Sequence, residues 1–139
     1  MDIKKFVIAS LAVFVVSSVL NFICHGVLLQ GAYQATAEVW RPEADMNSKM
    51  PLMWATGLLI SFLFVFIYTK GYEGKGVMEG VRYGLWIGLL MSIPMAFNSF
   101  VTLPVPLSLA MQWAVYGMIQ YIVMGIVTAA IYKPAMAKA

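Results

Sequence analysis

Asn21, Cys24 and His25 fall within the stretch NFICHG, near the end of an apolar run that opens at Phe6. Asparagine hydrogen-bonds, thiol and imidazole ligate metals, and imidazole carries protons; His25 is the only histidine in the chain. Cys24 and His25 are adjacent, so on a helix their side chains diverge by about 100° and do not face one ion together. The 11 methionines include MNSKM (Met46, Met50) and MSIPM (Met91, Met95), spacings compatible with thioether ligation of copper(I). Methionine is also an ordinary, flexible packing residue. A haem with two histidine ligands would need His25 from two copies of the chain. The expectation is therefore that the chain carries no cofactor and no metal. One histidine, one cysteine and no paired carboxylates inside the apolar stretches make no catalytic constellation, so the reading is non-enzymatic.

Composition dictates the kind of element that carries these residues. The 139 residues are 62% hydrophobic and 11% charged, with a mean hydropathy of +0.84. An average soluble domain is about 45–50% apolar and about 25% charged, so the chain belongs in a bilayer. The net charge of +3 is spread over segment ends rather than clustered, which is the pattern of membrane orientation and excludes a nucleic-acid interface. Four apolar stretches, 6–29, 50–69, 79–101 and 108–132, each reach the roughly 20 helical residues that cross a bilayer core. Their continuous apolarity predicts helices, since a barrel strand alternates. Glycines at 71, 74 and 76 and prolines at 104, 106 and 134 punctuate the boundaries. The N-terminus imitates a signal peptide, but no small-residue cleavage site comes after it, so it reads as a retained helix.

Lys4, Lys5, Lys70, Lys75, Arg82, Lys133 and Lys138 fall on one side of this topology, and only Arg41 and Lys49 on the other. The fold class expected is all-α: a four-transmembrane-helix bundle in one domain over 1–139, N-in and C-in, with an outer loop over 30–49. Within that loop GAYQATAEVW predicts a short interfacial helix ended by Pro42, with Tyr33 and Trp40 as headgroup-level anchors. Glu79 and Arg82 stand three apart at the start of the third span and read as an ion pair.

Depth can then be assigned. With a rise of about 1.5 Å per residue, His25 lies about 6 Å inside the outer end of the first span. Asn21 is one turn deeper on the same face, and Ser17 continues that stripe. Asn98 lies near the outer end of the third span. Gln112, Tyr116 and Gln120 descend one face of the fourth at i, i+4, i+8. Strong polar groups thus collect in the outer half of the membrane, which argues against a continuous aqueous pore and predicts an outward-facing pocket of Asn21, His25, Asn98, Gln112, Tyr116 and Gln120 beneath the loop. Alternatively these groups bond only between helices, with His25 bound to Glu38, Glu43 or a neighbouring helix. The third span carries Gly80, Gly84, Gly88, Ser92 and Ala96, one small residue every four, a face built for close helix contact. Gly117, Gly125 and Ala129 offer matching small surfaces in the fourth. The partner of the third span's face is either another helix of the chain or a second copy. Pro94 predicts a kink in the third span, with Ser92 near the carbonyl it frees.

GAYQATAEVW, the basic turn KGYEGKG and the closing QYIVMGIVTAAIYK together resemble a loose group of small bacterial four-helix membrane proteins of unassigned function. The resemblance implies the same fold and a bacterial inner-membrane location, and supplies no functional residues. Two functions remain open from the residues. One is an accessory or assembly component that stabilises a larger membrane complex or a homo-oligomer, favoured by the absence of charged residues at mid-membrane. The other is a small-solute binding or transport protein built around the His25 pocket.

Overall fold

A computed structural model describes residues 1–134; Lys138, assigned to the basic side of the topology, lies outside the described residues. The chain is all helical among those residues, and four helices are long and apolar enough to cross a membrane. Helix α1 (Ile3–Asn21) opens at Asp2, whose carboxylate accepts the backbone N–H of Lys5 at 3.1 Å, the arrangement expected of an N-cap. It runs directly into a π-helical segment, Phe22–Leu28, marked by the Leu29 N–H donating to the Cys24 carbonyl at 2.9 Å. A π turn inserts extra chain into a helix and re-aims the residues beyond it, a device found at functional sites.

The loop predicted over 30–49 is largely helical. Helix α2 (Gln30–Ala35) and a single 3₁₀ turn (Ala37–Val39) replace one interfacial helix, and α3 (Glu43–Lys70) starts seven residues earlier than the apolarity alone suggests. The reason is local. Pro42 ends no helix here; its carbonyl accepts from Asp45 and Met46 and opens α3, and Glu43 and Asp45 sit favourably at the positive end of the helix dipole. Helix α4 (Val77–Thr102) begins after Gly76, held at φ +74°, and α5 (Leu107–Ile131) after Pro104 and Pro106.

The tightest contact is between α4 and α5. A Cβ on Gly80 would strike the carbonyl oxygen of Gly125, and one on Gly84 would strike that of Tyr121. A Cβ on Gly88 would meet the Met118 thioether at 3.1 Å, and one on Gly117 would meet Ser92 Oγ at 2.5 Å. Ser92 and Ala96 complete the buried face of α4. The small-residue face is therefore occupied by α5 of the same chain, where backbones approach as only glycine permits. Ser92 Oγ has no hydrogen-bond partner among the described residues, so it does not serve the carbonyl freed by Pro94.

Helix α1 packs on α3 and α5 through Ala9, Ser10, Val13 and Ser17. One core cluster, with Phe64, Val65, Tyr68 and Tyr132, fills the end where Lys5 donates to the Lys133 carbonyl. The other, with Leu29, Ala96, Leu109 and Trp113, fills the opposite end, under α2. At the first end Glu79 is buried and does not pair with Arg82. Its two oxygens accept the backbone N–H groups of Glu73 (2.8 Å) and Lys75 (2.7 Å), while Arg82 reaches the exposed Glu73. A buried carboxylate needs donors that are already in place, and the turn before α4 supplies them.

Candidate functional site

Tyr33, on α2, is the centre of the loop-end cluster. The Trp113 indole on α5 donates to its hydroxyl at 2.8 Å, and His25 Nδ1 lies 2.5 Å from the same oxygen. The imidazole and phenol rings stack with centroids 5.9 Å apart. Trp40 closes the group, edge-on to Tyr33 at 5.3 Å and to Trp113 at 6.1 Å, and donates its own indole N–H to Thr36 Oγ1 at 3.0 Å. Tyr33 and Trp40 are thus half-buried packing residues of the bundle end. The partner of His25 is Tyr33, not Glu38 or Glu43.

The chemistry of the donors sets the direction of this chain. Indole N–H only donates, so the Tyr33 oxygen accepts from Trp113 and its own proton goes to His25 Nδ1. Neutral His25 then carries its proton on Nε2. Burial pushes the Tyr33 phenol up from its ordinary value, against the opposing Trp113 hydrogen bond and with a further upward push from Cys24, so it stays protonated at neutral pH.

Beside this chain opens a cleft of about 950 Å³. His25 and Gly26 line it from the π-helical segment, and Gln30 and Gln34 from α2. Arg41 and Glu43 contribute from the start of α3 and the residues before it, and Met46 lies one turn further along. Met95 and Ser99 contribute from α4, with Leu103 just beyond it, and Trp113 from α5. Arg41 pairs with Asp45 at 3.0 Å, and Asp45 also holds Lys49. Glu43 has no ion-pair partner among the described residues.

Of the six residues expected to converge, His25 alone lines the cleft. Asn21, Asn98 and Gln112 are exposed elsewhere on the bundle, Gln120 is half-buried on α5 away from the cleft, and Tyr116 packs against the Leu109 and Trp113 cluster. In α4 and α5 the expectation misses the lining residue by one position. In α4 it is Ser99, one position past Asn98, that meets the cleft; in α5 it is Trp113, one past Gln112. A single residue step turns a side chain by about 100°, and interhelical packing, which the sequence does not display, decides which neighbour faces inward. Sequence reasoning misses the roles of Tyr33, Trp40 and Trp113 because aromatic residues near a span end read as anchors. The available signal is the polar tip of each ring, which requires a partner when the ring is buried.

Met46 and Met95 reach the cleft, one from each methionine pair, while Met50 and Met91 do not line it. No group of three His, Cys, Asp or Glu side chains suited to a metal occurs among the described residues. No protein-family model, curated protein or solved structure matches the chain.

Proposed function

We propose that this chain is a non-enzymatic, multi-pass protein of a bacterial inner membrane that binds a small molecule in the loop-end cleft. The observation that supports it is the Trp113–Tyr33–His25 hydrogen-bond chain. A loop that only joined two spans has no need to be locked to α5 through a buried donor, and the lock holds open a cleft in the size range of small-molecule sites. The basic residues gathered at the Lys5, Lys70 and Lys133 end favour a cytoplasmic position for that end and an outward position for the cleft. His25, Arg41, Gln30 and Gln34 supply convergent polar groups, and Met46, Met95 and Trp113 supply apolar surface.

Native mass spectrometry of the detergent-extracted protein tests this reading. A non-protein mass should accompany the wild-type chain and be lost from Ser99→Trp, which fills the cleft from the α4 wall and replaces no member of the hydrogen-bond chain. Equal adducts on both proteins would remove the cleft from consideration. The second reading, an accessory component of a larger membrane assembly, draws on the absence of charged residues at mid-membrane. A protein that co-purifies equally with wild type and Ser99→Trp would favour it.

A further inference from the structure

Helix α3 meets the bundle along only part of its length. Its buried residues, Ser61, Phe64, Val65 and Tyr68, fit the i, i+3, i+4, i+7 rule of one packed face. All lie toward the end of the helix, and none is buried between Glu43 and Ile60. What the upper half does touch is α1: Gly57 lies against Phe14, and Trp54 stands edge-on to the same ring at 6.1 Å. Pro51 removes one backbone hydrogen bond in this half and favours a bend there. The upper part of α3 therefore leans on α1 and stands off from α4.

The cleft occupies that gap, with Met46 on the α3 side and Met95 and Ser99 on the α4 side. Met95 is seven residues short of Thr102, so the cleft descends about 10 Å from the end of α4, to the depth of the upper acyl chains. Its wall is apolar at that depth, and its rim is polar and carries both signs of charge, Arg41 and Glu43. Arg41 also pairs with Asp45, which Lys49 shares, so two cations and two carboxylates balance at this rim. A purely anionic headgroup would meet Arg41 but also bring its charge to Glu43. A headgroup carrying a phosphate and a primary ammonium satisfies both.

Building on the cleft-binding reading, we infer that the occupant is a zwitterionic phospholipid of the phosphatidylethanolamine type, entering sideways from the bilayer between α3 and α4. Its phosphate accepts from Arg41, its ammonium donates to Glu43, and the start of one acyl chain lies along Met46 and Met95. The choline analogue lacks ammonium protons and makes no such bond to Glu43.

The test uses a protein whose only tryptophan is Trp113 (Trp40→Phe, Trp54→Phe, Trp86→Phe) in phosphatidylcholine nanodiscs. A minor fraction of either phosphatidylethanolamine or phosphatidylglycerol is added, brominated on the chain near the headgroup. The ethanolamine lipid should quench most of the Trp113 emission and the glycerol lipid much less. Glu43→Gln should erase that preference, and Arg41→Gln provides a second, independent arm if the first variant does not fold. Equal quenching by the two lipids would overturn the headgroup assignment. No lipid quenching, with acrylamide in the water still reaching Trp113, would overturn the lipid occupant and leave the cleft reading standing. If neither quencher reaches Trp113, both readings fall.

Discussion

The Trp113 indole donates to the Tyr33 hydroxyl at 2.8 Å across 80 residues of sequence, joining α5 to the short helix that caps the bundle. Replacing Tyr33 by an apolar ring leaves the Trp113 indole without its acceptor, whereas replacing Trp113 leaves the Tyr33 hydroxyl bound to His25. Tyr33→Phe removes the acceptor for Trp113 and the donor to His25 at once, at a cost of about 1–3 kcal/mol. Unfolding in mixed detergent micelles would read this as a lowered midpoint, and an unchanged midpoint would show that the loop docks by apolar contact alone.

The same phenol gives a pH dependence with a defined sign. Its folded value is raised by burial, so its contribution to stability is fully present below the ordinary phenol value of 10.0 and is lost as pH rises through the folded one. The stability advantage of wild type over Tyr33→Phe should therefore shrink on the alkaline side and stay flat below it. An advantage that grows with pH would contradict the hydrogen-bond assignment.

At the α4–α5 contact, the neighbour of each glycine grades the outcome. Gly84→Leu and Gly80→Leu would drive side chains into backbone carbonyls, and the expected loss exceeds the roughly 1–3 kcal/mol of ordinary overpacking. Gly88→Ala meets the flexible Met118 thioether and should cost little. Gly57→Ala has only Phe14 at 3.6 Å and should gain up to about 1 kcal/mol from helix propensity. Equal effects at Gly84 and Gly57 would mean that α4 and α5 are not in backbone contact.

Glu79 is expected to matter for the α3–α4 turn through its two acceptor oxygens. Glu79→Ala leaves the Glu73 and Lys75 N–H groups without their acceptor, a loss of about 2–3 kcal/mol, and Glu79→Gln keeps one acceptor and should fall between. Hydrogen exchange at those two amides checks it. Unaltered protection in the alanine variant would refute the capping role.

His25 is the group at the cleft whose charge changes near neutral pH. Protonated, it would present a donor at Nδ1 to an oxygen that already accepts from Trp113, and the Tyr33 proton would lose its partner. Occupancy of the cleft should therefore vary with extraction pH between about 5 and 8, and His25→Gln should flatten that profile. A profile unchanged by the substitution would place the titrating group elsewhere.

Much of this arrangement is legible in the sequence, and the illegible part has a physical pattern. Span length and the glycine face can be read because bilayer thickness and the missing Cβ are strong, local constraints. Which residue turns toward the cleft cannot, since Ser99 and Asn98 differ by one step around α4 and only the packing against α5 chooses between them. The start of α3 at Glu43 is hidden by its charges, which depress hydropathy while favouring a helix N-terminus. The π turn after Asn21 has no marker in NFICHG.

Occupation of the cleft by a molecule is tested most directly at Ser99, against its neighbour Asn98. Ser99→Cys and Asn98→Cys are each placed in a Cys24→Ser background and reacted with a small polar thiol reagent, first as extracted and then after exhaustive delipidation. Ser99→Cys should react slowly as extracted and much faster once stripped, while Asn98→Cys keeps one rate throughout. Equal rates for Ser99→Cys in the two preparations would contradict an occupied cleft.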